Sequence, residues 1–238
     1  MTTLLAFDTA TERMSIALAA GGDVHEHESA GGAQASAALI PAIMALLARA
    51  GVCLAQLDAI AFGRGPGAFT GLRTACSVAQ GLAFGAGKPV LPVDTLLAVA
   101  ADAREGNAPQ RVWAAMDARM DEIYAAHYAF DGTRWRTLVE PMLVAADALN
   151  ERWRVEPPQA VAGNALVAFA GRLHPDTARC RPDAMPRARG MLPLAQALWD
   201  DGGAVDAALA LPLYVRDKVA QTTAEREAQR VTSAEAAR

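Results

Sequence analysis

The chain has 238 residues, 53% of them hydrophobic, and its 22 lysines and arginines against 26 aspartates and glutamates give a formal charge of −4. That length allows one or two domains with a proper core. The scattered arginines, with lysine only at Lys88 and Lys218, exclude a protein that grips nucleic acid by itself through a basic face.

No apolar stretch reaches the roughly 18 to 20 residues needed to span a bilayer. The N-terminus reads as the strand-like TTLLAFD and not as a signal sequence, so a cytoplasmic protein is expected. Cys53, Cys76 and Cys180 are odd in number and unclustered, which predicts buried free thiols and no thiolate metal site.

Thr3 to Phe7 reads as a compact apolar strand closed by the polar tip Asp8-Thr9-Ala10-Thr11. Ser15 to Ala20 follows as a second strand, and Gly21-Gly22 supplies a tight turn into a third, Asp23 to Glu28. The helix from about Ala33 to Ala50 is apolar nearly all round, so it is expected to be covered on more than one side and bent at Pro41. Ala59 to Phe62 is a short buried strand, Thr70 to Phe84 a helix, Pro89 to Val93 a strand and Thr95 to Arg104 a helix, with a linker at Glu105 to Gln110.

A similar order then restarts. Strands fall at Val112 to Asp117, Glu122 to Ala129 and Arg134 to Val139, the last two joined by the turn Phe130-Asp131-Gly132-Thr133. A helix near Ala145 to Glu151, a strand at Ala160 to Ala162, a turn at Gly163-Asn164 and helices around Ala165 to Leu173 and Leu192 to Asp200 complete it. Two related α/β halves are expected, dividing the chain into lobes at 1–106 and 107–220, with 221–238 a polar, solvated tail.

Residues 63 to 85, GRGPGAFTGLRTACSVAQGLAFG, form a glycine-punctuated loop feeding a helix. Gly63, Gly65, Gly67 and Gly71 permit a sharp turn pressed close to another surface, and Pro66 stiffens it. Thr70 is placed to cap the helix, whose free first-turn amides would attract an anion or a partner's acceptor. A Walker lysine is missing and the spacing is not GxGxxG, so the loop is left open between a ligand site and a structural turn. Ala75, Ala79 and Ala83 recur every four residues on a stripe that lets another surface approach closely, whether the chain's own sheet or a partner. No Ser/His/Asp set or zinc-ligand spacing occurs. His25 and His27 alternate along one strand while His127 and His174 stand alone, as surface or core histidines do.

The DTAT strand tip, the glycine hairpin, the helix carrying LIPAI, and AFGRGPGAFTGLR followed by QGLAFGAGKPVLPVDTL together resemble the bacterial TsaB family. LPLYVRDKVA, near Leu211 to Ala220, adds support. The resemblance covers residues 1 to about 100 closely and the rest in outline. It implies two related lobes of the actin, sugar kinase and Hsp70 ATPase-like (ribonuclease H-like) α/β fold, each a mixed sheet with flanking helices. It further implies a non-catalytic scaffold in tRNA modification, where a threonylcarbamoyl group is added to the adenosine next to the anticodon. The implied partners are the paralogue TsaD, which carries the metal and the transferase centre, and a small ATPase, TsaE. The tRNA is met only through the complex, and a homodimer is expected when TsaD is missing. A working ATPase or kinase of the same superfamily is the alternative.

TsaD's two metal-binding histidines fall here on Thr95 and Val99, which cannot replace two imidazoles, so neither a metal site nor a catalytic residue is expected. Asp8, Thr9 and Thr11 correspond to the superfamily's first phosphate loop and Gly163-Asn164 to its adenosine-side loop. They mark a remnant nucleotide site where no cofactor is required and weak ATP or ADP contact with magnesium is allowed. An aspartate capping its own turn has equal weight. The resemblance places the partner face on the first lobe, at Ile40, Ile43, Leu47, Phe69, Arg73, Ala75, Ala79 and Ala83.

Overall fold

Strand β1 (Leu4–Asp8) is apolar up to its last residue and buried throughout, because it runs through the middle of a sheet covered on both faces. The computed structural model describes residues 2–216, so the tail expected at 221–238 and the end of LPLYVRDKVA lie outside the described residues. β2 (Arg13–Ala20) and β3 (Asp23–Ala30) pair antiparallel in turn beside β1, as their alternation and the Gly21-Gly22 turn imply. β4 (Ala59–Gly65) and β5 (Val90–Asp94) add parallel on the other side, giving the order β3-β2-β1-β4-β5.

The second sheet repeats that plan. β6 (Gln110–Asp117), β7 (Ile123–Phe130) and β8 (Trp135–Val144) pair antiparallel, while β9 (Ala160–Ala162) and β10 (Arg179–Arg181) add parallel to β6. The order β8-β7-β6-β9-β10 matches the first sheet strand for strand, so the fold is two related α/β lobes of the kind the resemblance implies. β8 runs past its expected end at Val139, and β10 has no counterpart in the sequence reading, since three residues carry too little periodicity to register.

Helices fill three layers around the two sheets. α1 (Ala35–Ala50) and α2 (Phe69–Ala86) cover the outer face of the first sheet, packing on Leu5, Phe7, Ile16 and Phe62. α4 (Ala146–Val155) and α5 (Ala165–Ala168) cover the outer face of the second, around Trp113, Trp153 and Phe169. Between the sheets lie α3 (Thr95–Asp102) and α6 (Ala188–Asp200). α3 buries Leu96, Val99 and Ala100 against Val112, Ala114 and Tyr128 of the second sheet. α6 buries Ala188, Met191 and Ala195 against Leu4, Ala6 and Ala17 of the first. The amide of Ala188 donates to the buried Ser15 hydroxyl at 2.8 Å, and Asp102 accepts from the Met185 amide and from Arg187, tying the end of α3 to the start of α6.

This arrangement corrects the expected lobe boundary at 107–220. From Ala188 onward the chain is back on the first lobe: Val205 bridges Val90, and Ala207 and Ala210 join the core beneath α2. α6 also starts earlier than the expected Leu192, because packing on the sheet overrides the low helix propensity of Gly190 and Pro193.

Three further expectations change. Ile40, Pro41 and Met44 are exposed, so α1 is covered on one side only. The helical stretch Gly32–Ala50 is long and apolar enough by length and composition to cross a membrane, against the expectation that no apolar stretch reaches that length, although Leu39, Ile43, Leu46 and Leu47 are buried on the sheet. Cys76 is buried as expected, but Cys53 and Cys180 are exposed free thiols on loop and edge positions that the core does not reach.

The alanine stripe of α2 lies wholly inside: Ala75, Ala79 and Ala83 are each 0% exposed, as is Ile43, and Leu47 is 1% exposed. These five residues of the expected partner face present no surface, because they set the close spacing between helices and sheet. Ala79→Arg is therefore expected to unfold the chain by forcing an unpaired charge and extra volume into the core, at a cost of about 3 kcal/mol or more. Urea denaturation measures it, and a near-native midpoint would contradict this packing.

Candidate functional site

The carboxyl ends of β1, β4 and β5 meet at the tip of the first sheet, and Asp8 sits at their junction, 1% exposed. Its Oδ1 accepts the Ala10 amide at 2.7 Å, closing a turn on its own backbone. Its Oδ2 accepts the Thr95 hydroxyl at 2.8 Å, and that hydroxyl accepts the Gly65 amide at 3.1 Å. Burial lifts the Asp8 carboxyl to about 6, although the Ala10 amide and the Thr95 hydroxyl both pull it down.

The glycine loop is shaped to this tip. A Cβ on Gly63 would fall 1.7 Å from Asp8 Oδ2, and one on Gly71 would fall 1.9 Å from the Thr9 carbonyl oxygen. The Ala68 amide donates to the Ala10 carbonyl at 2.9 Å, and the buried Thr9 hydroxyl donates to the Gly71 carbonyl at 2.7 Å. The glycines thus serve close approach of two backbones. Thr70 is not the helix cap: Ala68 occupies that position without a side-chain bond, because the contact with Ala10 already fixes where the helix starts.

Beyond the sealed tip, a cleft of about 260 Å³ opens between the lobes. Thr11 and Glu12 line it from the first lobe, Asp117, Arg119 and Asn164 from the second. Asn164 accepts the Asp117 amide at 2.9 Å, and Arg119 reaches across to Glu12 at 2.8 Å. Gly163 holds φ 112°, and a Cβ there would meet the Ala115 carbonyl oxygen at 2.3 Å, so it repeats in the second lobe the close packing of Gly63 in the first.

Of the expected nucleotide residues, only Thr11 faces the cleft. Asp8 and Thr9 are buried with their polar atoms engaged, and Gly163 is a packing position, so this set does not fit a magnesium–phosphate group. Phe69 and Arg73 do reach the surface. The Arg73 guanidinium lies 3.9 Å over the Phe69 ring, and its Nε donates to the Tyr214 hydroxyl at 3.1 Å. Tyr214 and Arg119 escaped the sequence reading, whereas Asn164 enters it only with Gly163. Tyr214 lies 141 residues from Arg73, and no local pattern marks such a pairing. His127 is a core histidine stacked on Trp113 at 4.7 Å, with burial pushing its pKa down.

Residues 23–174 match the family TsaD: tRNA N6-adenosine threonylcarbamoyltransferase. The chain is 34% identical over 226 residues to the tRNA threonylcarbamoyladenosine biosynthesis protein TsaB of Escherichia coli (strain K12), covering 91% of this chain and 96% of that relative. Its counterpart from Haemophilus influenzae is 35% identical over 91% of this chain and 94% of its own length. Among solved structures, YeaZ from Pseudomonas aeruginosa is similar with a TM-score of 0.82 and 38% identity, over 90% of this chain and 100% of that one.

Two measurements probe the tip. Gly71→Ala should destabilise the fold by about 3 kcal/mol or more in denaturant titration, since a methyl group there must displace backbone. For Asp8 the folded value near 6 lies above the usual aspartate value of 3.8, so its contribution is fully present below about 4 and is lost as pH rises through about 6. Asp8→Asn removes that loss. The stability of the variant relative to the natural chain should rise by about 3 kcal/mol between pH 4 and pH 7; a difference independent of pH would show that Asp8 is not held this way.

Proposed function

This chain belongs to the TsaB family of tRNA threonylcarbamoyladenosine biosynthesis proteins, and on that premise we propose that it serves the pathway as a non-catalytic scaffold. It pairs with a TsaD paralogue and so supports threonylcarbamoyl transfer to the adenosine next to the anticodon. The observation that carries this reading is what stands at the two positions where TsaD has its metal-binding histidines. Thr95 is fully buried with its hydroxyl spent between Asp8 and Gly65, and Val99 is fully buried in the apolar layer between the sheets. A hydroxyl already engaged on both sides and an isopropyl group offer no ligand set.

The working surface on this reading is the outer side of α1 and α2. Ile40 and Met44 are each 46% exposed and Phe84 is 85% exposed. Ser77, Gly81 and Gly85 recur every four residues on the exposed side of α2, and a Cβ added to Gly81 or Gly85 would meet nothing within 4 Å. A TsaD helix could lie along this stripe at the short end of helix spacing, about 8 Å, with Phe84 as an apolar anchor. Without TsaD the same face pairs with a second copy. TsaE docks on the TsaD-bound pair, tRNA reaches this chain only through the complex, and the setting is the cytoplasm. No cofactor is required, and any weak ATP or ADP contact is confined to the cleft beside Thr11 and Asn164.

The reading is tested at Gly81. Gly81→Arg should keep or raise stability, by about 0.5–1 kcal/mol from helix propensity alone, yet abolish co-elution with TsaD and lower tRNA modification in the reconstituted system. Unchanged co-elution would remove this face from consideration. Calorimetry with magnesium and ATP should show neither sub-micromolar binding nor turnover by the isolated chain; turnover would restore the kinase or ATPase reading.

A further inference from the structure

A second cavity, of about 340 Å³, shares no lining residue with the cleft. It lies among α3, α6, the end of β5 and the β7–β8 turn. We propose that it is a binding site for a small amphipathic carboxylate, a molecule with one carboxyl group on an aromatic or branched aliphatic body.

Size and walls come first. The volume falls in the range of about 300–1,000 Å³ typical of small-molecule pockets, which are mostly apolar with a few polar groups that fix orientation. Here Leu97, Phe130, Trp135, Leu194 and Leu198 supply the apolar body. These walls come from both lobes, so the shape is fixed by tertiary packing and not by one mobile loop.

Charge selects the ligand. Arg64, Arg104 and Arg134 line the cavity against Asp94 and Asp201. Arg64 pairs with Asp94, and Arg134 pairs with Asp201. Arg104 has no carboxylate partner among the described residues: it donates to the Asn107 side-chain oxygen at 2.8 Å and stacks 4.7 Å over the Phe130 ring. The lining therefore carries one uncompensated positive charge beside an aromatic wall, which matches a single anion and not a dianion or a cation. Outside the lining, a further polar group on β7 is left without a partner among the described residues. Tyr128, two residues before Phe130 on the same face of β7, is 0% exposed and its hydroxyl has no partner among the described residues. Burial first, then the Asp94 and Glu140 carboxylates, push its ionisation up, so it remains a donor at neutral pH.

The test uses the full chain with 3-phenylpropionate and its neutral counterpart 3-phenylpropionamide, read by methyl NMR shifts of Leu97, Leu194 and Leu198. The acid should bind saturably and the amide about tenfold or more weaker, the difference a charge-assisted hydrogen bond makes. Arg104→Gln should bring the acid down to the level of the amide, and Arg104→Lys should retain most of the difference. Equal affinity for acid and amide, no saturable shift at these methyls, or an Arg104→Gln chain that binds the acid as well as the natural one would each overturn the proposal. If Arg104→Gln does not fold, the acid-to-amide comparison on the natural chain decides it alone. None of these outcomes bears on pairing with TsaD, which uses the opposite surface of the first sheet.

Discussion

A carboxyl group taken out of water must find hydrogen-bond donors, and at Asp8 that requirement organises the whole tip of the first lobe. One donor comes from Ala10, which forces the chain to turn at once after β1. The other comes from Thr95, which fixes where β5 gives way to α3. Between them passes the Gly63–Gly71 loop, so close that its glycines leave no room for a Cβ. Three strand ends, a helix start and a loop are thereby held by one buried group. The strand tip expected to mark a remnant phosphate loop is filled from within by the chain's own backbone.

The two lobes are related in plan but not independent in packing. α3 follows the first sheet and lies on the second; α6 follows the second sheet and lies on the first. Each lobe thus supplies the inner cover of the other, and the Asp102 contacts with Met185 and Arg187 lock the two helices end to end. A continuous apolar layer between lobes resists the rigid-body opening that a small polar interface allows. Both cavities open where this layer is left unfilled, one beyond the sealed strand tips and one beneath the β7–β8 turn.

α2 shows how one helix divides its work. Its inner stripe of Ala75, Ala79 and Ala83 brings the backbone close to the sheet, and its outer stripe of Ser77, Gly81 and Gly85 leaves backbone bare to solvent. Exposed glycine in a helix costs stability that alanine would not, and nothing inside the described chain requires it there. The proposed partner helix would put that cost to use by packing close along the outer stripe, whereas the inner stripe is only a core contact.

Much of the architecture was legible without coordinates. TTLLAFD, the Gly21-Gly22 turn and the strand order that restarts at Val112 specify local conformation through alternation and turn chemistry, and these signals act over a few residues. The same locality explains what was missed. Both stripes of α2 are made of small residues, so composition could not say which one faces in; Gly190 and Pro193 hid the first turn of α6; and the Thr95–Asp8 bond spans 87 residues. The amino-acid sequence by itself determined the element order, the duplicated plan and the close approach demanded by the glycine loop. Only the tertiary structure decided which faces are buried, that Asp8 is enclosed and that α6 returns to the first sheet, because each depends on desolvation and packing between segments far apart in the chain.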